Sequence, residues 1–190
     1  MKVIELQSST LVDLSHTVWD TLPKPTNYLN GVAVMDLFNL SDDIVKQAQS
    51  EFPWVSGKVA ALFLKPNSHA PIHVDNHDEG KYFRSLNILI ESNGGNHKTF
   101  YYEYVPGEWD MFKQGTMYGW DYNENDPNLK RVFEMQVNHP TIFWNQQFHN
   151  TENYDGVERT LLMWEIHKDI DPADIAKWLS EQGIKYNVLY

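Results

Sequence analysis

The 190-residue chain has no cysteine, which excludes disulfides and thiolate zinc sites. Positive charge is scarce as well: 15 Lys and Arg against 26 Asp and Glu leave a formal net charge of −11. No Lys/Arg run offsets that field, so nucleic acid and anionic membrane surfaces are poor partners. No stretch is apolar for long enough to span a bilayer, and MKVIELQSSTLVDL lacks the apolar core of a signal peptide. A cytoplasmic location is expected. Linkers, low-complexity tracts and internal repeats are also missing, so residues 1–190 read as one domain. There is no nucleophilic serine motif, phosphate-binding glycine loop or H-E-x-x-H helix.

Apolar and aromatic residues are plentiful. Hydrophobic residues make up 42% and aromatics 14%, enough for a real core and a lined pocket. Ser41-Asp42-Asp43 is suited to a helix N-terminus, with Ile44, Val45, Ala48 and Phe52 on one face and Pro53 as its stop. KVAALFLKP after Gly57 is apolar on both faces and predicts a buried strand. Lys65 to Ser68 is turn chemistry, and an extended piece follows at about 70–75. Further strands are expected over 84–90, from about 98, at VFEMQV, over 140–144 and over 160–166, with a long irregular loop reaching to about 128. Asp171-Pro172 opens a last helix with an Ile175, Trp178, Leu179 stripe, ended by Gly183. Many short strands between helices predict a β-sandwich or barrel with helical buttresses.

The chemistry lies in two distant segments. His73 and Asp75 in APIHVDN are two apart, so an extended strand projects both from one face. If the fold brings His149 alongside, two imidazoles and a carboxylate cap one side of a metal and leave the other open. This is the donor set of non-haem Fe(II) oxygenases. Arg159, ten residues on, supplies a fixed cation. The alternatives are a solvated His–Asp pair and an Arg159 paired with Glu158 or Asp155 at a strand edge. His69, His73 and His77 are spaced by four, but Pro71 excludes a helical histidine stripe. His69 and His77 are expected in loops near the site rim, and His16, His97, His139 and His167 as surface or capping residues.

LFLKPNSHAPIHVDNHDEGKYFRSLNILIES and IFWNQQFHNTENYDGVERTLLMWEI together resemble the two halves of the aspartyl/asparaginyl β-hydroxylase-like branch of the 2-oxoglutarate/Fe(II) oxygenases. The resemblance covers roughly residues 59–166, with an insertion between the halves. It implies a double-stranded β-helix (jelly-roll), mainly β, flanked by N- and C-terminal helices. It further implies Fe(II) held by His73, Asp75 and His149, with 2-oxoglutarate and O2 as cosubstrates. Arg159 would pair with the distal carboxylate of 2-oxoglutarate, as a planar guanidinium is suited to do. Arg84 matches a second cosubstrate-contacting arginine; its alternative is a structural ion pair. Leu86 stands where some members carry a histidine, so cosubstrate contacts differ in detail. Asp75 supplies a carboxylate that some members lack.

The implied activity is hydroxylation of an amino-acid side chain or small metabolite, with release of succinate and CO2. The substrate would be a small molecule or peptide. Residues 98–128 are the natural place for its contacts, through Tyr101, Trp109, Tyr118 and Trp120; Tyr102 and Tyr104 are expected to pack the strands. Two other functions fit the same residues: a cupin-like module that binds a metal or small molecule without turnover, and a non-oxidative Zn or Mn enzyme.

Overall fold

The computed structural model describes residues 3–75, 84–91, 96–104, 111–114, 117–120, 129–144, 147–167 and 170–189. In chain order the elements are β1 (Ile4–Leu6), α1 (Ser9–Thr21), β2 (Val32–Asn39), α2 (Asp42–Glu51), β3 (Val55–Leu64), β4 (Ser68–His69), β5 (His73–Asp75), β6 (Arg84–Glu91) and β7 (His97–Tyr104). They continue with β8 (Met111–Gln114), β9 (Met117–Trp120), β10 (Leu129–Met135), β11 (Thr141–Trp144), β12 (His149–Asn153), β13 (Arg159–Ile166), α3 (Pro172–Glu181) and β14 (Tyr186–Val188).

The strands form two antiparallel sheets, in the orders β14-β1-β11-β6-β13-β3-β2 and β10-β7-β12-β5-β9-β8. Along the chain β3, β5, β6 and β7 alternate between the sheets, and β10, β11, β12 and β13 alternate again. Each sheet therefore holds four strands of this winding, β11-β6-β13-β3 facing β10-β7-β12-β5. That order is the double-stranded β-helix, and the fold is mainly β with helices near both ends.

Sequence explains the layering. The first sheet is buried on both faces, so β3 and β13 lack polar alternation. Val59, Ala61 and Phe63 of β3 and Leu162, Trp164 and Ile166 of β13 pack with Leu11, Leu14 and Val18 of α1, Ala48 of α2 and Ile175 of α3. The intervening Leu62, Leu64 and Leu161 turn the other way and meet Tyr101, Met135 and Phe143 between the sheets. A third, smaller cluster of Ile72, Phe100 and Tyr102 covers the outer face of the second sheet.

The helix ends follow their sequence signals with one exception. Asp171 accepts from the Ala173 N–H at 2.7 Å, and Gly183 takes φ +69° just past α3. Ser41 occupies the N-cap of α2 without a side-chain hydrogen bond there, so the acids Asp42 and Asp43 serve that terminus instead. The elements not expected are α1, the strands β1, β2, β4 and β14, and the β8–β9 pair inside the supposed irregular loop.

Candidate functional site

β5 and β12 are neighbours, and their register sets His73 directly opposite His149. Paired residues share a sheet face, and Tyr101, opposite His149 on β7, lies in the cluster between the sheets. Both histidines therefore face the barrel interior. Their ring centroids are 4.4 Å apart and both are buried.

Each ring is oriented the same way. His73 Nδ1 lies 2.7 Å from the Pro71 carbonyl, and His149 Nδ1 lies 2.9 Å from the Gln147 carbonyl. A carbonyl only accepts, so each Nδ1 carries the proton and the lone pair of the neutral ring is on Nε2. Metal-binding imidazoles are held in this tautomer by such outer contacts. Asp75 shares β5 with His73, two residues on, and its backbone pairs with Met117; its side chain lies outside the described residues. No group of three His, Asp or Glu side chains able to hold a metal occurs among the described residues. The two imidazoles fit a metal, with a further donor required.

Arg159 begins β13, which runs between β6 and β3 rather than along an edge. Its Cα partner is Leu64, an interior residue, and the arginine is fully buried. All three guanidinium nitrogens lack a hydrogen-bond partner among the described residues. Burial pushes the guanidinium pKa down to about 9, with the Asp155 carboxylate acting against that shift. The strand-edge ion pair does not form. Glu158 instead accepts from the Tyr28 hydroxyl at 2.6 Å, and Asp155 accepts from the Asn96 N–H at 3.2 Å.

A polar column connects the two ends of this interior. Along the β7–β12 pair, Tyr101 faces His149, Thr99 faces Thr151 and His97 faces Asn153. The two threonine hydroxyls are 3.3 Å apart. Asn153 donates to the carbonyls of Leu64 at 3.0 Å, Lys65 at 3.2 Å and Val157 at 2.9 Å. It thereby fixes the corner from which Arg159 enters. His149 and Asn153 are four residues apart, ~13 Å along a strand, so the histidines, on the second sheet, and the arginine, on the first, lie at separate levels of the interior.

Other predicted residues fall elsewhere. Arg84 pairs in register with Ile166 and Trp144, whereas the Arg159 end of β13 pairs with Glu91. The two arginines thus stand at opposite ends of the β6–β13 ladder, and the Arg84 side chain lies outside the described ones. Tyr118 and Trp120 lie on β9, with side chains outside the described ones, and Trp109 and His77 lie outside the described residues altogether. Tyr101 is a buried wall residue beside His149 rather than part of a mouth. Tyr102 packs on the opposite face, as expected.

His69 is exposed but strand-paired to Glu152 rather than looped. His97, expected at the surface, is buried. Its alternation with Thr99 and Tyr101 was the available signal, masked by the Gly-Gly-Asn run before it.

No protein-family model matches the chain, and no curated protein matches it. Solved structures with a similar fold include an oxalate oxidase in complex with the substrate analogue glycolate, at 14% identity over 86% of this chain and 60% of that one, TM-score 0.43. A Pseudomonas putida prolyl-4-hydroxylase gives 11% identity over 86% and 92%, TM-score 0.45. A Lactobacillus farciminis oxalate decarboxylase gives 13% over 83% and 35%, TM-score 0.36. At these identities the likeness is one of fold alone, and the fold rests on the strand order itself. Among the described residues no helix is long and apolar enough to cross a membrane.

Proposed function

We propose that this chain is an Fe(II)- and 2-oxoglutarate-dependent dioxygenase, a hydroxylase related to the aspartyl/asparaginyl β-hydroxylase-like branch. The observation that carries this is the buried guanidinium of Arg159, which makes no hydrogen bond among the described residues, with Asp155 acting on it only through space, and which lies in the same interior as two Nε2-presenting histidines. A charge removed from water in this way costs several kcal/mol unless a counter-ion joins it. A carboxylate ligand supplies one, through two parallel hydrogen bonds. A cupin-like binding module shares the barrel and the histidines but gives no reason for the arginine.

In this reading His73 and His149 hold Fe(II) through Nε2, and Asp75 completes the set. Bound there with 2-oxoglutarate and O2, the iron supplies the oxidising chemistry that turns R–H into R–OH, with succinate and CO2 as co-products. The chain's own residues do the rest. Arg159 binds and orients the distal carboxylate, and the carbonyls of Pro71 and Gln147 keep both imidazoles in the ligating tautomer. Leu64, Leu161 and Phe143 keep the interior dry, where the guanidinium grips most strongly. The substrate is an amino-acid side chain or a small metabolite. Its contacts are assigned to the 98–128 segment, Trp109, Tyr118 and Trp120 included. Arg84, at the start of β6, is kept as the second arginine proposed to contact the cosubstrate.

The test is an anaerobic titration of the metal-free protein with Fe(II) and then 2-oxoglutarate, followed by visible absorbance. A charge-transfer band that requires both additions, and that His149→Ala abolishes, is expected. Arg159→Ala should weaken 2-oxoglutarate at least tenfold while iron still binds. Iron bound without a band would turn the assignment to the binding module or a non-oxidative enzyme.

A further inference from the structure

His97 is a buried titratable group that the proposed reaction leaves unused. His97 lies on β7, two strand positions beyond Thr99 and four beyond Tyr101, at the Arg159 end of the interior. Its Nδ1 stands 3.7 Å from Asp155 Oδ2, and its Nε2 stands 3.4 Å from the Val137 carbonyl. Asp155 is itself held on both sides. Its Oδ1 accepts from the Asn96 N–H at 3.2 Å, and its own N–H donates to Asn153 Oδ1 at 3.1 Å. Asn153 in turn anchors the corner that leads into Arg159. All four residues, His97, Asn153, Asp155 and Arg159, are buried.

Among the described residues the charged groups that bear on His97 are Asp155, on the turn after β12, and Arg159, on β13. Lys98 with its partner Glu134, and Glu152 opposite Lys98, alternate onto the other face of the sheet. The buried set is thus one carboxylate placed among a guanidinium and an imidazole.

We propose that His97 and Asp155 position the Arg159 anion site, and that a carboxylate arriving at Arg159 brings a proton with it to His97. This rests on the assignment of Arg159 as the carboxylate grip. The electrostatics are local. Before a ligand arrives, burial and then the Arg159 charge disfavour a second cation at His97, although the Val137 carbonyl and Asp155 favour one. An incoming carboxylate cancels the Arg159 charge. It also sets a second carboxylate near Asp155, and a protonated His97 relieves the repulsion between the two. Protonation also gives Nδ1–H and Nε2–H a carboxylate and a carbonyl as acceptors, so the imidazolium enters a prepared site. His97 is a positioning residue: it acts on the ligand through Asp155 and Arg159.

The experiment is calorimetric titration of the Mn(II)-loaded protein with 2-oxoglutarate, in buffers of different ionisation enthalpy across pH 5.5–8. Heat plotted against buffer enthalpy counts the protons exchanged. Net uptake is expected on the acid side of neutrality, with affinity rising as pH falls, by up to about tenfold per pH unit for one linked proton. His97→Gln and His97→Asn should bind with no uptake and a flat pH profile, while Fe(II) affinity stays unchanged. Binding without proton uptake in the unmodified protein overturns the proposal even if neither variant folds. Uptake that persists in a folded His97→Gln overturns it too. Either result leaves Arg159 as the grip, whereas no carboxylate binding at any pH overturns both.

Discussion

An arginine inside an apolar barrel trades stability for a ligand, and the exchange can be measured. Replacing Arg159 by methionine keeps most of the side-chain volume and removes a charge that has no hydrogen-bond partner among the described residues. The ligand-free protein should become more stable by roughly 1–3 kcal/mol, a rise of several degrees in Tm. Saturating 2-oxoglutarate should raise Tm in the original protein and leave Arg159→Met unmoved. The gain should also depend on pH. Burial holds the folded guanidinium pKa down at about 9, well below its ordinary value, so over that interval the unfolded chain holds the extra proton. Below pH 9 the burial penalty is complete and the advantage of Arg159→Met is constant. Above it the native arginine sheds its proton and the advantage shrinks. Urea denaturation of both proteins at pH 7 and pH 10 checks the sign. An Arg159→Met protein less stable than the original would mean that the guanidinium has a structural partner.

Single elements were legible where one local signal and one burial pattern agreed. Asp171-Pro172 with Ile175, Trp178 and Leu179 gave α3, and Asp171 does accept from Ala173. Asp171→Ala should cost ~1 kcal/mol, lowering Tm by about 2–4 °C without touching metal binding. Gly57 is a sterner case, with φ +86° and a methyl position only 2.9 Å from Val45 Cγ2 on α2. Gly57→Ala should cost more than ~1 kcal/mol and lower the urea midpoint with an unchanged slope.

Elements whose local signals conflict with their surroundings were missed. Helix α1 has its cap, Ser8 accepting from the Leu11 N–H at 3.4 Å, and its stripe of Leu11, Leu14 and Val18. Thr10, Val12, Thr17 and Val18 are weak helix formers, however, and only packing on the first sheet outweighs that. β8 and β9 are two paired four-residue strands whose signal is obscured by the Gly, Asp and Asn around them.

At the scale of the molecule, the histidine pair was legible because His73 and His149 lie in short segments of distinctive composition. Their meeting depends on β5 and β12 becoming neighbours, a long-range pairing that no local pattern specifies. The corner of His97, Asn153 and Asp155 was invisible for the same reason: three elements contribute to it, and each residue alone resembles turn chemistry.

Net charge belongs to this scale also. At −11 the protein repels the dianion 2-oxoglutarate at long range, while Arg159, the contact proposed for it, is buried and scarcely screened. Raising ionic strength from about 10 mM to about 100 mM shortens the Debye length from ~30 Å to ~10 Å. Stopped-flow association of 2-oxoglutarate should therefore accelerate several-fold over that range, with dissociation unchanged. Binding through an exposed basic patch would do the reverse, because salt would then screen an attraction. A rate that falls with salt would place the controlling charge at the surface, and would remove buried Arg159 from its role as the first cation the ligand meets.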